Sequence, residues 1–572
     1  MATLPFVTPD RKSANHSVVR RSIDLGRRAL GLDSPTPDHS VAKLHGDEAE
    51  APGLNANETR QLRYVRRMGT TGAVLMAIGA LGFGAQPVHQ NPTQGLRILG
   101  LPARLGAAGL TLTMTGTVTV VLAWLLLGRF AIGRARDGGV ARRLSRSQLD
   151  RTLLLWILPL SVAPPMFSQD VYSYLAQSEI AHRGLDPYEL GPRPALGLDH
   201  VLTNSVPNIW QSTPAPYGPL FLWMGRGISS IAGDNIVAGV WLHRVLALGG
   251  VALIVWALPR LARRCGVASV SALWLGAANP LLLFHLVAGV HNEALMLGLM
   301  LAGLELAMRA IENTDPLRGW NLALLAAGCA VITMSSTIKI PSLIALGFVW
   351  MALTRRWGGT FRALVKATAL TGVVALTVTL IVAFASGLGF GWVNTLGTAN
   401  AVRSWMSLPT SLGIFTGFGG VLLGLGDHTT AVLSITRPIA ALTAAFIAVR
   451  MLIAVYTGRL HPMGALGVAL GAIVLLFPVV QPWYLLWAVT PLAAWATRPA
   501  FRIPTIAFSC VVSVILMPTG AKVEPFQIVE AAIATILVCG TVILVTRKIL
   551  PWRAEAGAPT APADRDAYAQ SS

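Results

Sequence analysis

Apolar stretches of about 20 residues, the length that crosses a bilayer as a helix, follow one another through most of this chain. They begin near residues 68, 108, 152, 236, 268, 294, 320, 340, 364, 430, 463, 483, 503 and 526. A water-soluble fold has no interior large enough for so many. Charge agrees with this: 12% of the 572 residues are charged, 53% are hydrophobic and the mean hydropathy is +0.59. Soluble domains carry about 25% charged residues. A soluble globular enzyme is therefore excluded, and the sequence predicts an all-α, polytopic transmembrane helical bundle of about 13–15 spans.

The net charge of +19, from 45 Lys+Arg against 26 Asp+Glu, would suggest nucleic acid on a soluble chain. On a polytopic chain it marks cytoplasmic loops. The segment 128–151 carries Arg129, Arg134, Arg136, Arg142, Arg143, Arg146 and Arg151. Arg260/Arg263/Arg264, Arg355/Arg356/Arg362, Arg498/Arg502 and Arg547/Lys548/Arg553 fall on the same side when about 14 spans are drawn with both tails inside. No nucleic-acid partner is expected. Two short, Gly-rich apolar stretches, 216–233 and 411–426, would put arginines on the wrong side as full spans, so they read as re-entrant or surface helices.

The chain divides into a polar, largely disordered cytoplasmic tail (1–67), a transmembrane module (68–550) and an Ala/Pro-rich cytoplasmic tail (551–572). Within the first tail, Arg20, Arg21, Arg27 and Arg28 around Ile23, Leu25 and Leu30 would also suit a short helix lying on anionic lipid. No apolar h-region precedes the first span, so that span is expected to direct the chain to the plasma membrane. Cys265, Cys329, Cys510 and Cys539 are too scattered for a zinc site or a disulfide framework.

Polar and aromatic motifs gather on the outer side of this layout: the 168–235 loop, AGVHNEA (288–294), SSTIKIP (335–341), the 394–409 segment and PVVQPWYLLW (478–487). One site at the outer membrane surface is the simplest account. Asp170 follows a span directly, and a carboxylate partly desolvated there gains basicity and suits proton abstraction from a sugar hydroxyl. An N-cap role on the helix-spaced residues Val171–His182 is equally natural for it. Tyr172 is near, and the turns Asp186-Pro187-Tyr188 and Pro216-Tyr217-Gly218-Pro219 offer Tyr188 and Tyr217 for stacking on a sugar ring.

These motifs, FSQDVYSYLAQ, GLDPY, STPAPYGPLF, NPLLLFHLVAGVHNEALM, STIKIP and QPWYLLW, run from about 160 to 490. They resemble the GT-C glycosyltransferases, and more closely the actinobacterial polyprenol-phosphomannose-dependent α-1,6-mannosyltransferases of the MptA/MptB type, with the MptB type favoured. The resemblance implies a GT-C bundle with an amphipathic helix in its first large outer loop. It further implies inverting transfer of mannose from polyprenyl-phosphate-mannose to a mannosylated, phosphatidylinositol-type glycolipid, building the α-1,6-mannan backbone of lipomannan and lipoarabinomannan. On this chain the family's catalytic carboxylate would be Asp170. Elementary chemistry points the same way, because the outer space of a cell lacks nucleotide sugars and a donor there must be lipid-bound.

A departing polyprenyl phosphate calls for a cation and hydrogen-bond donors. Lys339, followed back by Thr337 and Ser336, is the leading candidate, with a helix-end anchor as the plainer alternative. Arg403 is a second, and Trp405 beside it would pack on the isoprenoid tail or serve as an interface aromatic. His291, Asn292 and Glu293 would hold the acceptor or support Asp170, with Glu293 as the fallback base. Gln481, Trp483 and Tyr484 would line the lipid groove. His285, inside an apolar run, is expected to make an interhelical hydrogen bond. No H-x-x-x-H or paired-Asp motif is present, so metal-independent transfer is expected. The alternatives are a GT-C enzyme using another polyprenyl-phosphate sugar such as arabinose, or a transporter or flippase of lipid-linked sugar. A transporter would place ionisable residues near the midplane and show two similar halves.

Overall fold

The computed structural model describes residues 44–85, 87–133, 140–401, 403–518 and 523–552. The basic surface-helix pattern at Arg20–Leu30 and the tail beyond Trp552 lie outside them. Helices dominate, and the described residues contain no strand beyond one isolated bridge between Gly53 and Arg143. Among helices of seven or more residues we label α1 (Ala56–Phe83), α2 (Gly106–Ile132), α3 (Arg146–Val162), α4 (Asp170–His182), α5 (Pro219–Ala232), α6 (Ile236–Arg264), α7 (Ser269–Leu275) and α8 (Glu293–Glu312). The second half holds α9 (Gly319–Ser336), α10 (Ile344–Arg356), α11 (Phe361–Ser386), α12 (Leu408–Leu422), α13 (Thr429–Tyr456), α14 (Pro462–Leu476), α15 (Leu485–Ala493), α16 (Pro499–Ile515) and α17 (Pro525–Thr546).

Seven of these, α2, α6, α8, α9, α11, α13 and α17, are long and apolar enough to cross a membrane on their own. Of the rest, α1 is 28 residues long but carries charges through its first turns and begins twelve residues before the predicted 68, while most others are shorter and lie close to the predicted starts. The stretch expected to span from 268 is divided: α7 stops at Leu275, and Leu282–Ala288 forms a π-helix. Pro280 interrupts the ladder. Asn279 repairs the break by accepting from Leu281 N–H and donating to Leu275 O and Ser509 Oγ. Irregular backbone is tolerated at this depth because protein surrounds it on every side. The two short stretches are helices of 14 and 15 residues, α5 and α12, too short to span unaided.

Of the stretch read as a tail, 1–67, residues 44–67 are described. Asn55 and Glu58 form a capping box that starts α1 at Ala56, and Arg66, although charged, is buried on α3 with its Nε donating to Thr152 Oγ1 at 3.0 Å. Residues just before the helix are also fixed: His45 stacks on Trp495 and Glu48 pairs with Arg502 at 2.7 Å.

Small residues set how near the central helices come. A Cβ on Gly250 of α6 would lie 2.3 Å from the Ala294 backbone of α8, so that contact requires glycine. It also sets the depth of Glu293, the residue before Ala294. The arginine-rich connectors lie at one end of the bundle, where Arg264 bridges Glu305 and Glu312 and His461 meets Glu312. The polar motifs lie at the other end.

Candidate active site

Four segments meet at that second end: the first turns of α4, residues 288–293, residues 337–341 and residues 480–487. With residues 210–217 they border a cavity lined by Asp170, Ser173, Gln177, Trp210, Thr213, Tyr217, Lys339, Thr395, Gln481, Trp483, Tyr484 and Trp487; His291 and Glu293 of the 288–293 segment contact its lining residues Asp170 and Lys339.

Asp170 is the first residue of α4 and not its cap. The cap position belongs to Gln169, whose side chain makes no capping bond, so the Asp170 carboxylate is left to face the cavity. Ser173, Tyr174 and Gln177 follow at spacings of three, four and seven, which places them on the same helix face. Tyr174 Oη lies 3.4 Å from His291 Nδ1 and its ring meets Tyr217 and Phe221 edge-on.

His291 is fully buried. Its Nδ1 sits 3.4 Å from Asp170 Oδ2 and 3.9 Å from Glu293 Oε2, and its ring stacks on Trp483 with centroids 3.7 Å apart. Neighbours on a regular helix would diverge; here His291 precedes α8, so it and Glu293 converge on Asp170. Burial and the Lys339 charge hold the imidazole well below its usual pKa, which keeps it neutral. A neutral ring with Nδ1 toward Asp170 can donate one hydrogen bond and orient the carboxylate.

Glu293 is buried without exposure. Its Oε1 accepts from Lys339 Nζ and, at 3.0 Å, from Trp483 Nε1. Lys339 Nζ also reaches Tyr484 Oη at 3.4 Å and lies over the Tyr484 ring at 4.7 Å. Burial opposes the ammonium charge, but Glu293 and Tyr484 together hold its pKa above the usual value. Lys339 is a cation in the cavity wall. Burial also raises the Asp170 carboxyl to about 6, with the Glu293 charge adding and Lys339 opposing. It is ionised at neutral pH yet far more basic than a surface aspartate.

The backbone is strained on both approaches. Phe167 and Val290 have φ of +66° and +59°, a left-handed region that is a true outlier for β-branched valine. One precedes Asp170 by a few residues and the other immediately precedes His291. Arg244 of α6, buried, donates to Ser161 O (3.1 Å), Ala163 O (2.6 Å) and Ala288 O (3.3 Å). It clamps together the ends of the two elements that lead into Asp170 and His291.

Several predicted site residues lie elsewhere. Tyr172, two positions from Asp170 and so on the opposite side of the helix, donates to Pro87 O at 2.7 Å. Tyr188 packs with Ala215 and Leu222 in a separate apolar cluster. The hydroxyls of Ser336 and Thr337 bond back to Thr333 O and Met334 O on their own turn. Arg403 reaches Thr430 Oγ1, and Trp405 is 65% exposed; neither lines the cavity. Asn292 is buried behind Tyr174. His285 makes no hydrogen bond through either ring nitrogen and is instead packed on Phe167, His291 and Trp483. Ser173, Gln177 and Trp487 are the residues the motif reading missed, and counting threes and fours along α4 from Asp170 finds the first two.

Comparison with known proteins adds the following. A family model described as alpha-(1->6)-mannopyranosyltransferase, N-terminal domain, matches residues 66–355, and one described as MptB C-terminal domain matches residues 409–544. A probable alpha-(1->6)-mannopyranosyltransferase of Mycolicibacterium smegmatis is 57% identical over 93% of this chain and 98% of its own. Alpha-(1->6)-mannopyranosyltransferases of Mycobacterium tuberculosis and Corynebacterium glutamicum are 54% and 40% identical, over 90% and 91% of this chain and 93% and 86% of their own. Among solved structures, the Archaeoglobus fulgidus oligosaccharyltransferase shares 15% identity over 68% of this chain and 53% of that one, with a TM-score of 0.36.

Proposed function

The chain belongs to the alpha-(1->6)-mannopyranosyltransferase family, and from that premise we propose that it transfers mannose from polyprenyl-phosphate-mannose to a mannosylated, phosphatidylinositol-type glycolipid at the outer face of the plasma membrane. Asp170 is the general base. It takes the proton from the acceptor 6-hydroxyl as that oxygen bonds to the anomeric carbon, the bond from that carbon to the phosphate oxygen breaks, and the electron pair leaves with the polyprenyl phosphate. The anomeric configuration inverts.

The observation that carries the reading is Asp170, with its carboxyl raised to about 6, facing a cavity that also holds the Lys339 ammonium. An ammonium has three donors. Lys339 directs them toward Glu293 and Tyr484 and has one left for a phosphate oxygen, so it can offset the leaving-group charge without moving. Trp483, Tyr484, Tyr217 and Gln481 provide stacking and polar contacts for sugar and isoprenoid. Transfer is metal-independent in this reading. Asp170, His291 and Glu293 converge, but a divalent ion among them would sit against Lys339, which already occupies Glu293; chelation by EDTA should leave the rate unchanged.

Asp170→Asn in membrane vesicles supplied with polyprenyl-phosphate-mannose should lose about 10²–10⁴ of the rate. Undiminished transfer would remove Asp170 from the mechanism. The same vesicles given a polyprenyl-phosphate-arabinose donor separate the sugar readings, and movement of lipid-linked mannose without a new glycosidic bond would instead indicate a flippase.

A further inference from the structure

A groove far from the active site runs between α1 and α3 at the arginine-rich end. It has a volume of about 970 Å3 and its polar lining is Arg63, Arg66, Arg67 and Arg151 with Thr70 and Thr71. Among the described residues no carboxylate lines it. The nearest acids in sequence are committed elsewhere, Glu58 to the Asn55 cap and Asp150 to Arg146. Arg66 forms the floor: it is buried, and it is fixed by Thr152 Oγ1 and, at 3.2 Å, by Gln148 O. Arg63, Arg67 and Arg151 are exposed around it.

The far wall of this basic groove is apolar, Val74 and Leu155. A second groove of about 550 Å3 begins at the same Val74 and continues between the same helices past Ala77, Ile78 and Leu81 on one side and Pro159 and Val162 on the other. From Arg66 to Leu81 the helical rise gives about 22 Å, most of the depth of a bilayer's hydrocarbon core at about 30 Å. Positive charge at the arginine-rich end, meeting at Val74 an apolar groove that runs on between the same helices, matches one ligand chemistry in both its parts.

We propose that this groove holds an anionic glycerophospholipid, its phosphate among the four arginines and one acyl chain along Val74–Leu81. Arginine loops that merely orient the chain need no floor and no apolar continuation. The bound lipid braces α3 against α1 at the end opposite Asp170.

Native mass spectrometry of the full-length protein in detergent tests this with phosphatidylglycerol and phosphatidylcholine as competing probes. The wild type should retain one phosphatidylglycerol with a preference of about ten-fold or more, and millimolar inorganic phosphate should not displace it. Equal retention of the two lipids overturns the proposal without recourse to any variant. Displacement by inorganic phosphate overturns the lipid assignment in favour of a free anion. The variant R63Q/R67Q/R151Q should lose the preference, whereas R263Q/R362Q/R547Q, which removes the same charge from exposed arginines outside the groove, should keep it. Equal behaviour of the two variants would reduce the site to general surface charge.

Discussion

Burial raises the proton affinity of Asp170 most, and Glu293 and Lys339 then pull it in opposite directions, so that all three set the pH at which the base is available. The reaction needs Asp170 ionised, so activity should rise as pH passes through about 6 and then level off. Glu293→Gln removes a contribution that raises the Asp170 pKa, and the acid limb of kcat/KM should move to lower pH. Lys339→Gln removes one that lowers it, and the limb should move to higher pH while the maximal rate falls. A pH profile of each variant checks both signs, and shifts in the same direction would contradict the assignment. Asp170, Lys339 and Glu293 were legible in the sequence because a charge at a membrane boundary is costly and therefore conspicuous. Of the aromatic partners Tyr217, Trp483 and Tyr484 were legible too, whereas the placement of the hydroxyls and of Tyr172 was not. Tyr172 and Tyr174 differ only in helical phase, and Ser336 and Thr337 bond their own helix, a competition that composition does not register.

At the scale of elements, Arg244 matters more than any cavity-lining residue outside the catalytic group. It touches nothing in the cavity; its guanidinium gathers the end of α3 and the end of the π-helix, whose continuations carry Asp170 and His291. Arg244 is a positioning residue. Displacements of about 1 Å at a reacting group cost on the order of 10²-fold, so Arg244→Ala should lower kcat by about 10–10²-fold with little change in KM. Added guanidinium should restore part of the rate, which a general loss of folding would not permit, and Arg244→Lys should fall between the two. Absence of rescue with normal protein yield would remove the clamp from the account. The same scale explains what the hydropathy pattern could and could not reveal. It located the starts of the helices, because apolar runs must lie in lipid or protein. It did not reveal that the run from 268 breaks at Asn279 and Pro280, since burial on every side makes a broken helix as apolar as a continuous one. The strain at Val290 was equally hidden, because only packing holds a β-branched residue there.

Across the whole molecule, a buried carboxylate is among the contacts that join the first and last thirds of the chain at the arginine-rich end. Glu48 pairs with Arg502 of α16 at 2.7 Å, and it also accepts from Ala268 N–H at 2.9 Å and from Ser271 Oγ at 3.3 Å. Both side chains of the ion pair are only 8% exposed. The sequence placed residues 44–55 in a disordered tail because the segment is polar and charged; its order comes from partners far along the chain, Arg142 and Arg143 as well as Ala268, Ser271, Trp495 and Arg502, which no local pattern reports. Removing one member of such a pair leaves the other charge buried and unpaired, at a cost of about 3–5 kcal/mol. Glu48→Ala should therefore lower the thermal unfolding midpoint of the detergent-solubilised protein well below that of the wild type. Arg502→Ala should do likewise. The double variant Glu48→Ala/Arg502→Met, which removes both members of the buried pair and leaves only the longer, 4.0 Å partner Arg143 without its acid, should recover part of the loss. A double variant as unstable as the sum of the single changes would mean that the two residues act independently, and that the segment before α1 is held by its remaining contacts, chiefly the stacking of His45 on Trp495.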